Sequence, residues 1–515
     1  MSIKLSLITA LVTSLLFTAC GSSSKKSSSN VAKTNFGKVE ISECFSSVMK
    51  DKGATCKYLT LKTDPENEKD TRAVKVYYST LNPQESNTTL DPVVFLIGGP
   101  GDGGNLGLGE EFDSSTISSI VKKHKLIIVD YRGTGFCEPY ADCSLNAEGS
   151  DADFNASLAV CTQKMKELDI KVTDYTTKKI ARDIDKILET ENIDKAILYG
   201  VSYGTRVALT MARDYPQRIS SMVLDGVFSV EANGISQAEE AIFEKYADLD
   251  KQLKVKYPDD DLNGILNDLK DKDLSVLQFI AKTTITGIYQ DNEEALNGTL
   301  ESIKSLDKEN LYKQLITELL PQVVYLDGAV DMVHAFSSFD ITNIKGIANN
   351  NKVVKTINPK YKSREGVSTV MSYAIILSEE FNFIDEQKPN LFGFSGNVLD
   401  SLEGFQGGAP LPVEKLSVIS EYFKVGKTDP IEKEPVTTDI PTILFSGGKD
   451  MQTTKSWAVN TQKYLANSRH FFFPIQDHAF TLSSGYASVI RDMFMEDYDI
   501  NGSSYTEIDE RENEQ

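Results

Sequence analysis

Gly200-Val201-Ser202-Tyr203-Gly204 is the one G-x-S-x-G pentapeptide in the chain. A serine hydroxyl becomes a strong nucleophile only beside a base that takes its proton and a carboxylate that orients the base. The chain has four histidines, His124, His334, His470 and His478, so the base has few candidates. His470 lies at the start of the apolar run HFFFPI, and His478 falls in the loop after it. Asp450 ends the segment TILFSGGKD; Asp477, adjacent to the histidine, is a decoy acid that solvent would surround. The sequence thus nominates Ser202 as nucleophile, His478 as base and Asp450 as orienting acid of an acyl-transfer reaction. The tetrahedral oxyanion of such a reaction needs two backbone N–H donors. Tyr203, the residue after the serine, supplies one. Ile97-Gly98-Gly99-Pro100-Gly101 supplies the other, and since proline has no N–H, Gly99 is the natural donor. No Gly-Lys-Ser/Thr follows these glycines, so they do not read as a phosphate cradle.

These residues need a scaffold. KAILYG (195–200) reads as a strand and residues 203–214 as a helix, which puts Ser202 on a strand-to-helix turn, as a nucleophile elbow requires. Ile180, Ile184, Ile187 and Leu188 recur at helical spacing. Further strands are expected in 73–81, 91–101, 125–135 and 219–227. Apolar runs alternating with helices indicate an α/β protein, a mostly parallel sheet with helices on both faces. The rhythm stops over 233–435, which reads as a mainly helical, polar insertion, and resumes at 441–450 and 469–478. One core (37–232 and 436–505) interrupted by a helical cap (233–435) explains this better than three domains in a row. The order Ser…Asp…His is that of an α/β-hydrolase sheet. Asp450 and His478 then follow strands at the carboxyl edge, where ligands bind, and His470 sits at the other edge.

Of 515 residues, 40% are hydrophobic and 25% charged, which is the composition of a globular protein with a sizeable core. Acidic residues exceed basic ones by 75 − 54 = 21, and this argues against nucleic-acid partners, which require a basic footprint. Lys4 followed by the apolar stretch Leu5 to Phe17 has the form of an export signal and is short for a membrane span. It ends in LFTACG, resembling a bacterial lipobox with Phe17 at the usual leucine position, so residues 1–19 read as a lipoprotein signal and Cys20 as the lipidated residue. An ordinary secretory signal with a chance cysteine is the alternative. Gly21, in place of an aspartate, favours an outer membrane where the bacterium has one. Residues 20–36, with SSSKKSSS, read as a tether, and 506–515 as an acidic disordered tail. Beyond Cys20 there are five cysteines, Cys44, Cys56, Cys137, Cys143 and Cys161; export permits disulfides, and an odd count leaves at least one outside them. No cysteine–histidine spacing suggests a metal site, and no cofactor is implied.

GGPG, DYRGTG, GVSYGTRVAL, VLDGV, GGKD and the late histidine together resemble the tripeptidyl and prolyl aminopeptidase family of serine peptidases, over about residues 40–230 and 436–495. The resemblance implies an α/β-hydrolase core with a helical cap, and an exopeptidase that takes residues from a free peptide N-terminus. The chain departs from the family at Ile97, where prolyl enzymes carry histidine, and at Thr454, where a proline often follows the acid; neither touches the proposed triad. The resemblance also implies disulfides Cys44–Cys56 and Cys143–Cys161, with Cys137 as the odd thiol. It implies that Asp130 and Arg132 form a charged pair near the floor of the site. An aminopeptidase must hold an ammonium group, and the segment AIILSEEFNF points to Glu379 for this, with Glu239, Glu240 and Glu244 as alternatives. Peptides and a membrane surface are the expected partners. An esterase or lipase on the same core, or a silent binding lipoprotein, are the competing readings.

Overall fold

The structure, a computed structural model, describes residues 36–86, 88–107, 114–145, 150–234, 254–255, 258–259, 367–383, 413–448, 450, 452–474, 476–483, 485–498 and 502–508. The lipobox with Cys20, His334, Glu239, Glu240, Glu244, most of the expected cap and residues 509–515 lie outside them.

Among the described residues ten strands form one sheet: β1 (Val39–Ser42), β2 (Thr55–Lys62), β3 (Ala73–Leu81), β4 (Val93–Leu96), β5 (Leu126–Val129), β6 (Ala196–Val201), β7 (Ile219–Asp225), β8 (Thr442–Gly447), β9 (Ser468–Phe473) and β10 (Ser504–Glu507). Their order is β1-β2-β3-β5-β4-β6-β7-β8-β9-β10. The first three strands and β5 pair antiparallel, and from β5 to β10 every pair is parallel. The central strands VVFL, LIIV and AILYGV are buried at every position. Their continuous apolar runs are the signature of a parallel sheet covered on both faces. From β4 the chain moves to β5 on one side and then crosses back to β6 on the other, so the ends of β4 and β6 flank the switch point of the sheet, where a crevice opens.

Two helices matter most for the site. The helix Thr177–Thr190 (α1) buries Ile180, Ile184, Ile187 and Leu188, as their spacing requires, and is capped by Thr176, whose hydroxyl accepts the Lys179 N–H. Removing one of these side chains, as in Ile184→Ala, costs about 2–5 kcal/mol. The helix Tyr203–Asp214 (α2) is buried from Tyr203 through Ala212 and packs on β4, β6, β7 and α1. Of the expected cap, the structure describes two eleven-residue α-helices, Thr369–Glu379 (α3) and Val413–Phe423 (α4), and the short 3-10 helices Phe381–Phe383 and Pro430–Lys433. α3 is anchored to the core: the Ser368 N–H donates to Gly101 O at 2.9 Å and the Thr369 N–H to Asp142 Oδ1 at 2.9 Å.

Disulfides join Cys44 to Cys56 and Cys143 to Cys161. Cys137 is a buried thiol between the Tyr77 N–H and Asp130 O. The first residues of the expected disordered tail are structured instead. Thr506 and Glu507 belong to β10, and the Ile508 N–H donates to Phe472 O at 2.9 Å. The open edge of β9 offers backbone partners there, which composition does not register.

Candidate active site

The nucleophile elbow rests on a single residue. β6 ends at Val201 and α2 begins at Tyr203, so Ser202 alone turns the chain, at φ 54° and ψ −123°. Side-chain-bearing residues rarely adopt this conformation, and it persists only where neighbours hold it. Here the Ser202 N–H donates to Asp225 O at 2.9 Å, and Ser202 O accepts the Thr205 N–H at 2.9 Å and the Thr205 hydroxyl at 2.6 Å. The flanking glycines are needed because of close approach. A Cβ on Gly200 would lie 2.5 Å from Gly204 O, and one on Gly204 only 2.0 Å from Leu96 O.

Asp450, in the turn after β8, is fully buried. Its carboxylate accepts the N–H groups of Gln452 and Thr453 at 2.8 Å each and the Thr453 hydroxyl at 2.7 Å. His478 Nδ1 lies 2.8 Å from Asp450 Oδ2. An ionised carboxylate can only accept, so Nδ1 carries the proton and Nε2 is the basic nitrogen. Burial pushes the Asp450 carboxyl up, but the imidazole and the Thr453 donors outweigh it and hold the group below its ordinary value. Burial likewise opposes charge on His478, yet the Asp450 carboxylate, with Asp225 and Asp477 behind it, lifts the imidazole above its ordinary value.

Ser202 and His478 open on one cavity of about 460 Å³, which Gly98, Gly99, Asp102 and Asp477 also line. Among the described residues no direct hydrogen bond joins the Ser202 hydroxyl to His478. Such bonds are often long before substrate arrives. Gly98 packs against the nucleophile: a Cβ there would be 3.1 Å from Ser202 Cβ. The Tyr131 hydroxyl donates to Ile97 O at 2.9 Å and fixes the base of the glycine loop. Gly99 lines the same cavity as the serine, and the Tyr203 N–H lies in the first turn of α2, next to Ser202 in the chain. The arrangement places a serine hydroxyl, an imidazole with a fixed tautomer and the Gly98–Gly99 loop on one cavity.

Other nominated residues are placed differently. His470 is buried inside β9, its Nε2 2.6 Å from the Ser446 hydroxyl, and burial pushes it down to about 4. It is a core histidine held neutral. Arg132 does not pair with Asp130: its guanidinium forks onto Asp183 at 2.8 and 2.6 Å, while Asp130 accepts the N–H groups of Asn105 and Phe136. Two residues apart in a turn, the two side chains diverge to different partners. Glu379 is 4% exposed and is not among the residues lining the cavity. It accepts the Thr177 N–H at 3.0 Å and the Thr177 hydroxyl at 2.8 Å, with the Arg206 guanidinium at 3.7 Å. Its donors are internal to the protein, and the Tyr203 hydroxyl reaches the same threonine at 2.7 Å. Thr453, which touches both Asp450 and His478 (3.1 Å to Nδ1), was not legible in the sequence. Its one signal is its place three residues after the acid.

A family profile described as "alpha/beta hydrolase fold" matches residues 91–259. The chain is 27% identical over 164 residues to the proline iminopeptidase of Neisseria gonorrhoeae, covering 30% of this chain and 41% of that protein. It is 39% identical over 59 residues to the serine protease Hip1 of Mycobacterium bovis, covering 12% of this chain and 11% of that one. A solved serine hydrolase from Cycloclasticus zankles aligns over 86% of this chain and 98% of its own, at 10% identity and a TM-score of 0.35. The chain thus spans about two fifths or less of the length of these two curated relatives. With the largely parallel sheet, the elbow and the matched profile together, the protein has the α/β-hydrolase fold.

Proposed function

We propose that the protein is a serine hydrolase, and within that class a peptidase acting on free peptide N-termini. The observation that carries the hydrolase reading is the 2.8 Å contact between buried Asp450 and His478 on a cavity shared with the strained Ser202. In this reading His478 Nε2 takes the Ser202 proton as the hydroxyl attacks a carbonyl carbon. The imidazolium, stabilised by Asp450, then gives that proton to the leaving amine. The Gly99 and Tyr203 N–H groups stabilise the oxyanion. Water repeats the cycle on the acyl-enzyme. The partial likeness to proline iminopeptidases supports the peptidase reading and favours it over the esterase. A panel of chromogenic peptides and esters, with free and acetylated N-termini, tests it. Faster release from free than from acetylated peptides is expected, and equal cleavage of both makes the protein an endopeptidase or esterase instead. Lipid attachment at Cys20 is proposed from the N-terminal sequence alone. Cys20→Ser is expected to move the protein from the membrane to the soluble fraction, since anchoring requires the acyl chains. Full retention in the membrane excludes that anchor.

A further inference from the structure

A second carboxylate sits behind the site. Asp225 is the last residue of β7, in register with Val201 on one side and Phe445 on the other, and is fully buried. Its backbone oxygen receives the Ser202 N–H. Its side chain reaches the other half of the site: Oδ2 accepts the Thr481 N–H at 2.9 Å and the Thr481 hydroxyl at closer range. Thr481 stands three residues after His478, in the 3-10 turn Phe480–Leu482 that follows left-handed Ala479. Among the described residues Oδ1 has no hydrogen-bond partner although it is buried. The residue after it, Gly226, lies against the imidazole: a Cβ there would come within 2.9 Å of His478 Cε1. One residue thus touches the nucleophile's backbone and the base's turn.

We propose that Asp225 is a positioning carboxylate of this site: through Thr481 it fixes the turn that carries His478, and its charge supplements that of Asp450 on the imidazolium. The inference rests on the Ser202–His478–Asp450 reading. Among the described residues the charged and titratable groups around it are few. His478 is faced by Asp450, Asp225 and Asp477; Asp225 is faced by His478 and Asp450. Beyond Thr481 lie the Tyr199 hydroxyl, 2.8 Å from the Thr481 hydroxyl, and Arg491, which donates to Thr481 O. Burial first, and Asp450 as a like charge, raise Asp225 to about 6 against the Thr481 donors and the imidazole. Asp225 is therefore negatively charged once the pH has passed that value, and His478, held above its ordinary value, must lose its proton beside that charge.

A structural carboxylate alone would hold the turn without touching the titration of the base, and this difference is measurable. The rate of Ser202 labelling by a small fluorophosphonate, followed against pH on the intact protein, reports the neutral imidazole without requiring a known substrate. Asp225→Asn keeps an acceptor for Thr481 and removes the charge. Its labelling profile should move to lower pH by about half a unit, because an imidazole with one fewer anion nearby loses its proton sooner. Thr481→Val keeps the charge and the backbone N–H arm of the tether and removes its closer, hydroxyl arm. Its midpoint should stay in place while the maximal labelling rate falls at least about threefold, as a misplaced base loses rate steeply. A folded Asp225→Asn with the parental midpoint overturns the electrostatic half, and a Thr481→Val that labels at the parental rate overturns the positioning half. Should Asp225→Asn not fold, Thr481→Val still decides the positioning half. Failure of the parent protein to label at Ser202 would instead count against the hydrolase reading beneath it.

Discussion

Asp450 and Glu379 are both buried carboxylates beside a basic side chain, and sequence pointed to both as functional. Their surroundings separate them. Asp450 holds an imidazole whose other nitrogen is left for the cavity, and a proton can pass through that pair. Glu379 holds Thr177 and faces Arg206, a guanidinium that never gives up its proton in a protein. Neighbouring Glu380 takes Arg206 at 2.7 Å and the Gly234 N–H at 3.0 Å, so the two glutamates and the arginine knit α3 to α2. Asp450 lies below its ordinary value because its donors overcome burial, whereas burial wins at Glu379 and raises it. A buried charge that ends on a titratable, cavity-facing partner serves chemistry; one that ends on permanent internal partners serves packing.

The largest effect that would break this comparison is on turnover. Asp450→Asn should lower kcat by about 10⁴-fold, the scale expected when the orienting acid is neutralised and the wrong histidine tautomer is favoured. Ser202→Ala should abolish fluorophosphonate labelling outright. Glu379→Ala should leave the labelling rate of the folded protein within about tenfold. It should instead destabilise by about 2 kcal/mol in chemical denaturation, the cost of leaving the buried Thr177 donors without their acceptor, while Arg206 keeps Glu380. If Glu379→Ala stopped labelling without loss of stability, the division drawn here would collapse.

A finer probe is Glu379→Gln. A carboxyl raised in the folded state binds protons more tightly there than in the unfolded chain. Its charge therefore weakens folding above its folded pKa, and the penalty fades as pH falls through that value toward the unfolded one. Gln keeps an acceptor for Thr177 and removes the penalty along with the Arg206 attraction. The change in stability at neutral pH should stay within about 1 kcal/mol. The preference for free over acetylated peptides should also be nearly unchanged. A glutamate that gripped the substrate ammonium would lose about ten- to a hundredfold in that ratio.

The same contrast explains what sequence could and could not disclose. Ser202 was legible because the elbow is local: strand, pentapeptide and helix follow one another, and β6 and α2 begin and end within a residue of their expected bounds. That Asp450 and His478 meet was legible because each follows an apolar run at the carboxyl edge. Glu379 was not legible as a packing residue, since its partners Thr177 and Arg206 lie about two hundred residues away in the chain. Asp225 and Thr453 were missed for the same reason, as each matters only once β7, β8 and the His478 turn are side by side. β1 and β2 escaped because their antiparallel, partly exposed residues alternate irregularly, unlike the continuous runs of the central strands.

The smallest effect expected is a shift in pH. As a general base His478 must be neutral, so labelling of Ser202 should rise with pH through the imidazole's pKa. That pKa lies above the ordinary value of about 6.5, because the Asp450 carboxylate outweighs burial, and the rise should be centred on the alkaline side of that value. In stability the signs are opposite for the two partners. The raised His478 contributes stability that is fully present below its unfolded pKa and is lost as pH climbs through the folded one. The depressed Asp450 contributes stability present above its unfolded pKa and lost as pH falls through the folded one. Asp450→Asn leaves burial as the main influence on the imidazole, so what labelling survives should be centred below 6.5. Glu379→Gln, acting on a cluster that His478 does not feel, should leave the midpoint where it is. A midpoint that moved as far for Glu379→Gln as for Asp450→Asn would join the two carboxylates into one electrostatic unit and undo the distinction between them.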